Sequence, residues 1–203
     1  DTIMDGPVGK KLHAKLEEKG IVGLAFWELG FRNITNSKRA INTVADIDGL
    51  KLRVIPNPIN VDWVKALGAN PTPMPFPEVY GDLESKAIDG QENPLTVIAA
   101  NKFWEVQKFL AITNHQYNPQ SVIFSKKVWD TLTPEEQKIF RDAAKESVPY
   151  MRKLWDEKEA KSEAAVRAGG AQVNEVDKKS FQDAMAPVYD KFMSTPKLKQ
   201  MVK

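Results

Sequence analysis

The sequence predicts an α/β fold, with helices packed on the faces of a sheet. Three observations carry that expectation. Short apolar runs alternate with segments whose apolar residues recur at the helical period, and the links between them are short. The first run, IVGLAFW at 21–27, is apolar almost without interruption, as in a strand covered on both faces. Caps and prolines mark several of the switches from strand to helix.

The elements follow in order. Gly6-Pro7 opens a helix with Val8, Leu12 and Leu16 on one face, closed by Lys19-Gly20. After the strand at 21–27 comes a polar stretch, RNITNSKR, read as a loop, and then a strand around Leu52-Arg53-Val54-Ile55. Asn57 caps a helix with Pro58 in its first turn that runs to about Leu67, and Gly68-Ala69-Asn70 ends it. From Pro71 to Met74 the chain is extended, because each proline biases its predecessor away from the helical region. Pro77 starts another helix, AIDGQENPL is the next short strand, and Thr96 begins the next helix. Thr133-Pro134-Glu135-Glu136 is a capping box, and the helical pattern after it continues to Gly169-Gly170. Roughly 35 helical residues span on the order of 50 Å, whereas a compact chain of this size has a radius of gyration near about 17 Å. Such a helix outgrows a single lobe, and Pro149 inside it predicts a kink.

Composition narrows the function classes. Of 203 residues, 42% are hydrophobic and 28% charged, enough for one large or two small globular units. Lys+Arg 29 against Asp+Glu 27 leaves a net charge of +2 spread along the chain, which argues against a nucleic-acid partner. There is no cysteine, hence no disulfide, thiolate chemistry or Cys-based metal site. No apolar run approaches the roughly 18 residues of a membrane span. The N-terminal DTIMDGPVGKK lacks a signal-peptide pattern, so the chain is either cytosolic or has lost a leader. No GxSxG elbow or Gly-rich phosphate loop appears, the two histidines sit in dissimilar settings, and no metal-ligand spacing is present. Neither metal nor cofactor is expected. Trp104, Trp129 and Trp155 fall in helical patterns and read as core.

Two arginines draw attention by position. Arg53 lies inside an apolar strand, KLRVI, where a guanidinium is costly unless an anion or an acid satisfies it. Either a ligand or a core salt bridge with Asp89 or Glu92 meets that need. Arg32 reads as a solvated charge on the loop after the first strand, or with Arg53 as half of a carboxylate clamp, since Arg offers bidentate geometry. Glu92-Asn93 ends the AIDGQENPL segment; Asn93 has an amide to donate to the same anion and Glu92 a carboxylate to orient an arginine, although Asp, Gly and Asn are also ordinary turn formers. Phe76, between Pro75 and Pro77, is a core residue or a ring stacked on a ligand. His115 is a hydrogen-bonded structural residue or a base.

Beyond these readings, GLKLRVIPNP, ALGANPTPMPFPEVY, AIDGQENPL and KFWEVQKFLAITNH, in that order, resemble the motif series of the DctP-type solute-binding proteins of tripartite ATP-independent periplasmic (TRAP) transporters. The resemblance runs from GFRNITNSKRAI through the long C-terminal helix. Against the family's pattern, this sequence looks like a form lacking the leader and the N-terminal part of the first lobe. The resemblance implies a periplasmic binding protein-like fold: two lobes with a ligand cleft, and the long kinked helix spanning both. Domain one would hold 1–31 and 119–148, domain two 32–118 and 149–203. The implied function is capture of a small organic acid in the periplasm and delivery to the TRAP membrane permease, without catalysis. The carboxylate-binding arginine of the family falls on Arg53, its second cleft arginine on Arg32, its cleft asparagine on Asn93 and its aromatic on Phe76. Glu92 and His115 fall on supporting positions, Tyr117 and Asn118 on a loop segment at the far end of the ligand, and Asn57 beside Arg53. Tyr117, Asn118 and Gln120 favour a hydroxylated acid such as a hexuronate; a four-carbon dicarboxylate or keto acid is the alternative, and an enzyme using Glu92 as general base a remote one.

Overall fold

The structure is a computed structural model and describes residues 2–194 of the chain. It divides into two compact units, Asp1–Gly30 with Asn118–Lys158, and Phe31–Tyr117 with Glu159–Lys203.

The first unit contains helices α1 (Thr2–Asp5) and α2 (Pro7–Glu17), the start of strand β1 (Ile21–Asn36) and the end of strand β5 (Phe109–Ser125). It also holds α6 (Lys126–Trp129) and most of α7 (Pro134–Ala168). Its packing is aromatic. His13 stacks on Phe26 with ring centroids 4.1 Å apart, and Phe124 contacts Trp129 at 5.5 Å and Phe140 at 5.0 Å. Position 23 must be glycine to admit His13, whose ring would lie 2.3 Å from an added Cβ. The capping box forms as read: Thr133 N–H donates to Glu136 and Glu136 N–H to Thr133 Oγ1. α7 runs on through Pro149, which has no N–H to offer the carbonyl of Lys145.

The second unit contains β2 (Lys51–Val54), α3 (Pro58–Ala66), β3 (Asn70–Pro73), α4 (Val79–Glu84), β4 (Gly90–Pro94), α5 (Leu95–Ala100), β6 (Gln172–Glu175), α8 (Lys178–Ala184) and α9 (Ala186–Phe192). A six-stranded sheet has the order β3-β2-β4-β1-β5-β6, with β2 parallel to β3 and β4, and β1 antiparallel to β4. Successive side chains point to opposite faces, so β5 sends Ala111 to one apolar cluster with Ile34, Leu52, Val54 and Trp63, and Leu110 and Ile112 to another with Val79, Leu83 and Phe103. Leu52 and Val54 occupy the first face, which turns Arg53 to the opposite one.

β3 is an edge strand, and its prolines keep the pleat. Asn70 N–H donates to Leu50 O and Met74 N–H to Val54 O, while Pro71 and Pro73 fall on positions between, where an N–H would face away from β2. Gly90 starts β4 because nothing larger fits: an added Cβ would lie 2.2 Å from Thr35 O.

Two expectations differ from the structure here. Most of the polar stretch RNITNSKR is not a loop; Arg32 to Asn36 complete β1, and Ser37 to Arg39 leave the strand as read. Tyr117 and Asn118 likewise lie within β5 rather than in a loop after it. Both segments are polar, and β1 and β4 hold theirs in place by cross-strand pairing, Arg32↔Pro94 through Asn36↔Gly90.

Candidate functional site

The register that opposes Ile34 to Glu92 sets Arg32 diagonally across from Glu92. Arg32, 3% exposed, grips the Glu92 carboxylate with Nε and with Nη2 at 2.9 Å. The same Nη2 reaches Glu92 O at 2.6 Å and Asn93 Oδ1 at 3.1 Å. The reading of Arg32 as a solvated charge is therefore corrected: it is buried, because its acid lies on the neighbouring strand sixty residues on.

Glu92 also meets His115 Nε2 at 3.3 Å, and His115 Nδ1 meets Thr113 Oγ1 at 2.7 Å. The tautomer with its proton on Nε2 satisfies both contacts. The imidazole packs on Trp63, ring centroids 4.6 Å apart. Burial pushes the Glu92 carboxyl up, but the hydrogen bonds from His115 and Arg32, with the positive charge of Arg32, outweigh it and hold the group below the usual Glu range.

Arg53 is as buried as Arg32 and is satisfied differently. Nε and Nη2 both donate to one acceptor, Met74 O, at 3.1 and 2.8 Å, and Phe76 places its ring 5.9 Å from the guanidinium carbon. Among the described residues no acid pairs with it. Of the two acids considered from sequence, Glu92 is taken by Arg32, and Asp89 accepts from Lys51 N–H at 2.9 Å and lies 3.4 Å from Lys38 Nζ. Met74 O holds the Nε–Nη2 edge of the planar group, which leaves the Nη1–Nη2 edge without a partner among the described residues. Burial pulls the Arg53 pKa below the usual guanidinium value; Glu92 opposes that and Arg32 adds to it. Two buried cations near one carboxylate leave the second with an uncompensated charge.

Asn93, 5% exposed, accepts from Arg32 and donates from Nδ2 to Gln91 Oε1 at 2.6 Å. One Nδ2 hydrogen is left over. Phe76 is 40% exposed and begins a single 3₁₀ turn, so it is not a core residue. Tyr117 is half-buried with its ring 5.2 Å from Phe31, and half-buried Asn118 falls in the other unit. Asn57 does what a cap does: its Oδ1 accepts from Ile59 N–H at 3.0 Å. The structure thus links Arg32, Glu92, Asn93 and His115 by direct hydrogen bonds and sets Phe76 against Arg53, while Asn57 bonds to none of them. Sequence reasoning missed Met74, whose contribution is a backbone carbonyl, and the buried side chains of Thr35, Gln91 and Gln107. An apolar cavity of about 440 Å³ adjoins the far side of His115, lined by Trp63, Phe181, Met185, Val188 and Tyr189; Arg53 takes no part in it. Among the described residues no cluster of acids and histidines is arranged to hold a metal ion, and no helix is long and apolar enough to cross a membrane.

Comparison with known proteins decides the family. The profile of bacterial extracellular solute-binding protein family 7, DctP, matches residues 1–195. The chain belongs to that family. It is 45% identical over 183 residues to the 2,3-diketo-L-gulonate-binding periplasmic protein YiaO of Escherichia coli, covering 90% of this chain and 56% of that one. A TRAP periplasmic solute-binding protein from Sulfitobacter, solved with β-D-galacturonate, superposes with a TM-score of 0.95 at 42% identity over 98% of this chain and 67% of its own. One from Chromohalobacter salexigens, solved with D-glucuronate, gives 0.96 at 33% identity over 98% and 67%. This DctP-family chain thus spans little more than half the length of the E. coli relative and about two thirds of the two solved chains.

Proposed function

We propose that this protein is the periplasmic receptor of a TRAP transporter, that it holds a six-carbon sugar acid by its carboxylate through Arg53 and Asn93, and that it hands the acid to a membrane permease. The observation that carries the reading is Arg53: a buried guanidinium with one edge on a carbonyl and, among the described residues, neither a partner for its other edge nor an acid paired to it. A carboxylate is the group whose two oxygens match that edge. The spare N–H of Asn93 suits a ligand oxygen. Phe76 offers a half-exposed ring beside the same guanidinium. The three relatives, binding 2,3-diketo-L-gulonate, galacturonate and glucuronate, support a hydroxylated six-carbon acid over a four-carbon dicarboxylate. Glu92 is committed to Arg32 and His115 and held in its ionised form, which supports binding rather than proton transfer.

The test is a thermal-shift and calorimetric panel on the intact protein with D-galacturonate, D-glucuronate, four-carbon dicarboxylates and keto acids. Uronates are expected to raise the midpoint, and Arg53→Ala to weaken their binding by at least about a hundredfold, because it removes one partner of a buried ion pair, about 3–5 kcal/mol. Midpoints raised by dicarboxylates alone change the ligand class. No response to any acid, or an Arg53→Ala variant that binds as well as wild type, overturns the reading.

A further inference from the structure

A directed chain of side-chain hydrogen bonds leads away from Arg32 into the sheet. Arg32 Nη2 donates to Asn93 Oδ1 at 3.1 Å, Asn93 Nδ2 to Gln91 Oε1 at 2.6 Å, and Gln91 Nε2 to Thr35 Oγ1 at 2.8 Å. Thr35 Oγ1 donates in turn to Gln107 Oε1 at 2.9 Å, and Gln107 Nε2 ends the chain on the carbonyls of Val106 at 3.0 Å and Asp89 at 3.4 Å. Gln91 is 0% exposed, and Thr35 and Gln107 are each 2% exposed. The register explains the layout, since Thr35 faces Gln91 and Asn33 faces Asn93 across the β1–β4 pair.

Both ends of this chain are chemically one-sided. A guanidinium can only donate and a backbone carbonyl can only accept. Between them each amide must present its oxygen toward Arg32 and its nitrogen toward Gln107, and the single Thr35 proton must go to Gln107. A flip of Asn93 would set its NH₂ against the guanidinium and its oxygen against the oxygen of Gln91. The buried setting makes either mismatch costly.

We infer that Thr35 and Gln107 are positioning residues for the ligand site, holding the Asn93 amide so that it offers a donor, never an acceptor, to whatever lies beside it. The specificity this creates is for an oxygen acceptor, carboxylate or hydroxyl, and against an ammonium or amide N–H at that point of the ligand. The inference rests on the proposed reading of Asn93 as a ligand contact.

The experiment is a double-mutant cycle on the intact protein, reading D-galacturonate and D-glucuronate affinity by calorimetry and folding stability by urea denaturation. Thr35→Val removes the hydroxyl and keeps the shape, so it cuts the chain at its middle. It is expected to weaken uronate binding about five- to tenfold, with Thr35→Ser recovering most of the loss. In an Asn93→Ala background the same substitution is expected to change affinity less than about twofold, because there is no amide left to orient. Should Thr35→Val fail to fold, Gln107→Met interrupts the chain one link farther on and takes its place in the cycle with the same expectations. A wild type that binds uronates but loses the same factor in both backgrounds, or nothing in either, overturns the inference alone. A wild type that binds no organic acid overturns the functional reading and the inference with it.

Discussion

Arg32 and Arg53 are equally hidden from water, two strands apart in one sheet, and the fold treats them in opposite ways. Arg32 receives a carboxylate, a carbonyl and an amide oxygen; Arg53 receives a single carbonyl. Burying a guanidinium costs several kcal/mol unless it is paired. The first is a complete buried ion pair, and the second is a buried cation held by a carbonyl with no acid paired to it among the described residues. On the proposed reading, the difference separates a charge paired within the fold from one that meets the carboxylate of a ligand.

The widest separation between the two is expected in stability. Glu92→Gln leaves Arg32 buried without its anion and is expected to cost about 3–5 kcal/mol in urea denaturation. Arg53→Met keeps the apolar stem and removes the uncompensated charge together with the two hydrogen bonds to Met74 O, effects of opposite sign, so its unfolding free energy is expected within about 1 kcal/mol of wild type. Equal losses in the two variants would erase the distinction. Arg53→Lys sharpens it from the binding side: an ammonium cannot hold Met74 O and a bidentate carboxylate together, and uronate affinity is expected to fall about tenfold by calorimetry with stability unchanged. The smallest effect concerns pH. The carboxyl of Glu92 is held below its ordinary value, so its stabilisation is fully present above the unfolded-state pKa of about 4.3 and is lost as pH falls from there through the lower folded-state value. Urea midpoints between pH 3 and 6 are expected to fall with acidification more steeply in wild type than in Glu92→Gln.

Arg53 was legible because a charge inside KLRVI breaks an apolar run, an anomaly visible within five residues. The long helix was legible for a similar reason, with a capping box at one end, Gly169-Gly170 at the other and a sustained period between. Arg32 was not, because RNITN carries the composition of a loop, and what makes it strand is a set of partners some sixty residues away. QYNPQ carries a loop-like composition too and lies within β5. Gln91 sat in plain view in AIDGQENPL beside Asn93 and was passed over; its link to Thr35 and Gln107 exists only once β1, β4 and the segment before β5 are brought together. Neighbours in sequence reveal unusual residues, but the hydrogen-bond partners that explain them are a property of the assembled sheet.

The run Pro71, Pro73, Pro75, Pro77 has an effect beyond shaping the corner that holds Met74 O. A sheet margin ordinarily offers a row of amide protons on which a foreign strand can grow. Here the outward positions of β3 carry pyrrolidine rings, so the row is blank where a newcomer would dock. Fixed φ angles also narrow the conformations available to the segment before it folds. One short stretch therefore seals that border against accretion by other chains and delivers the carbonyl for Arg53 with little freedom left to lose.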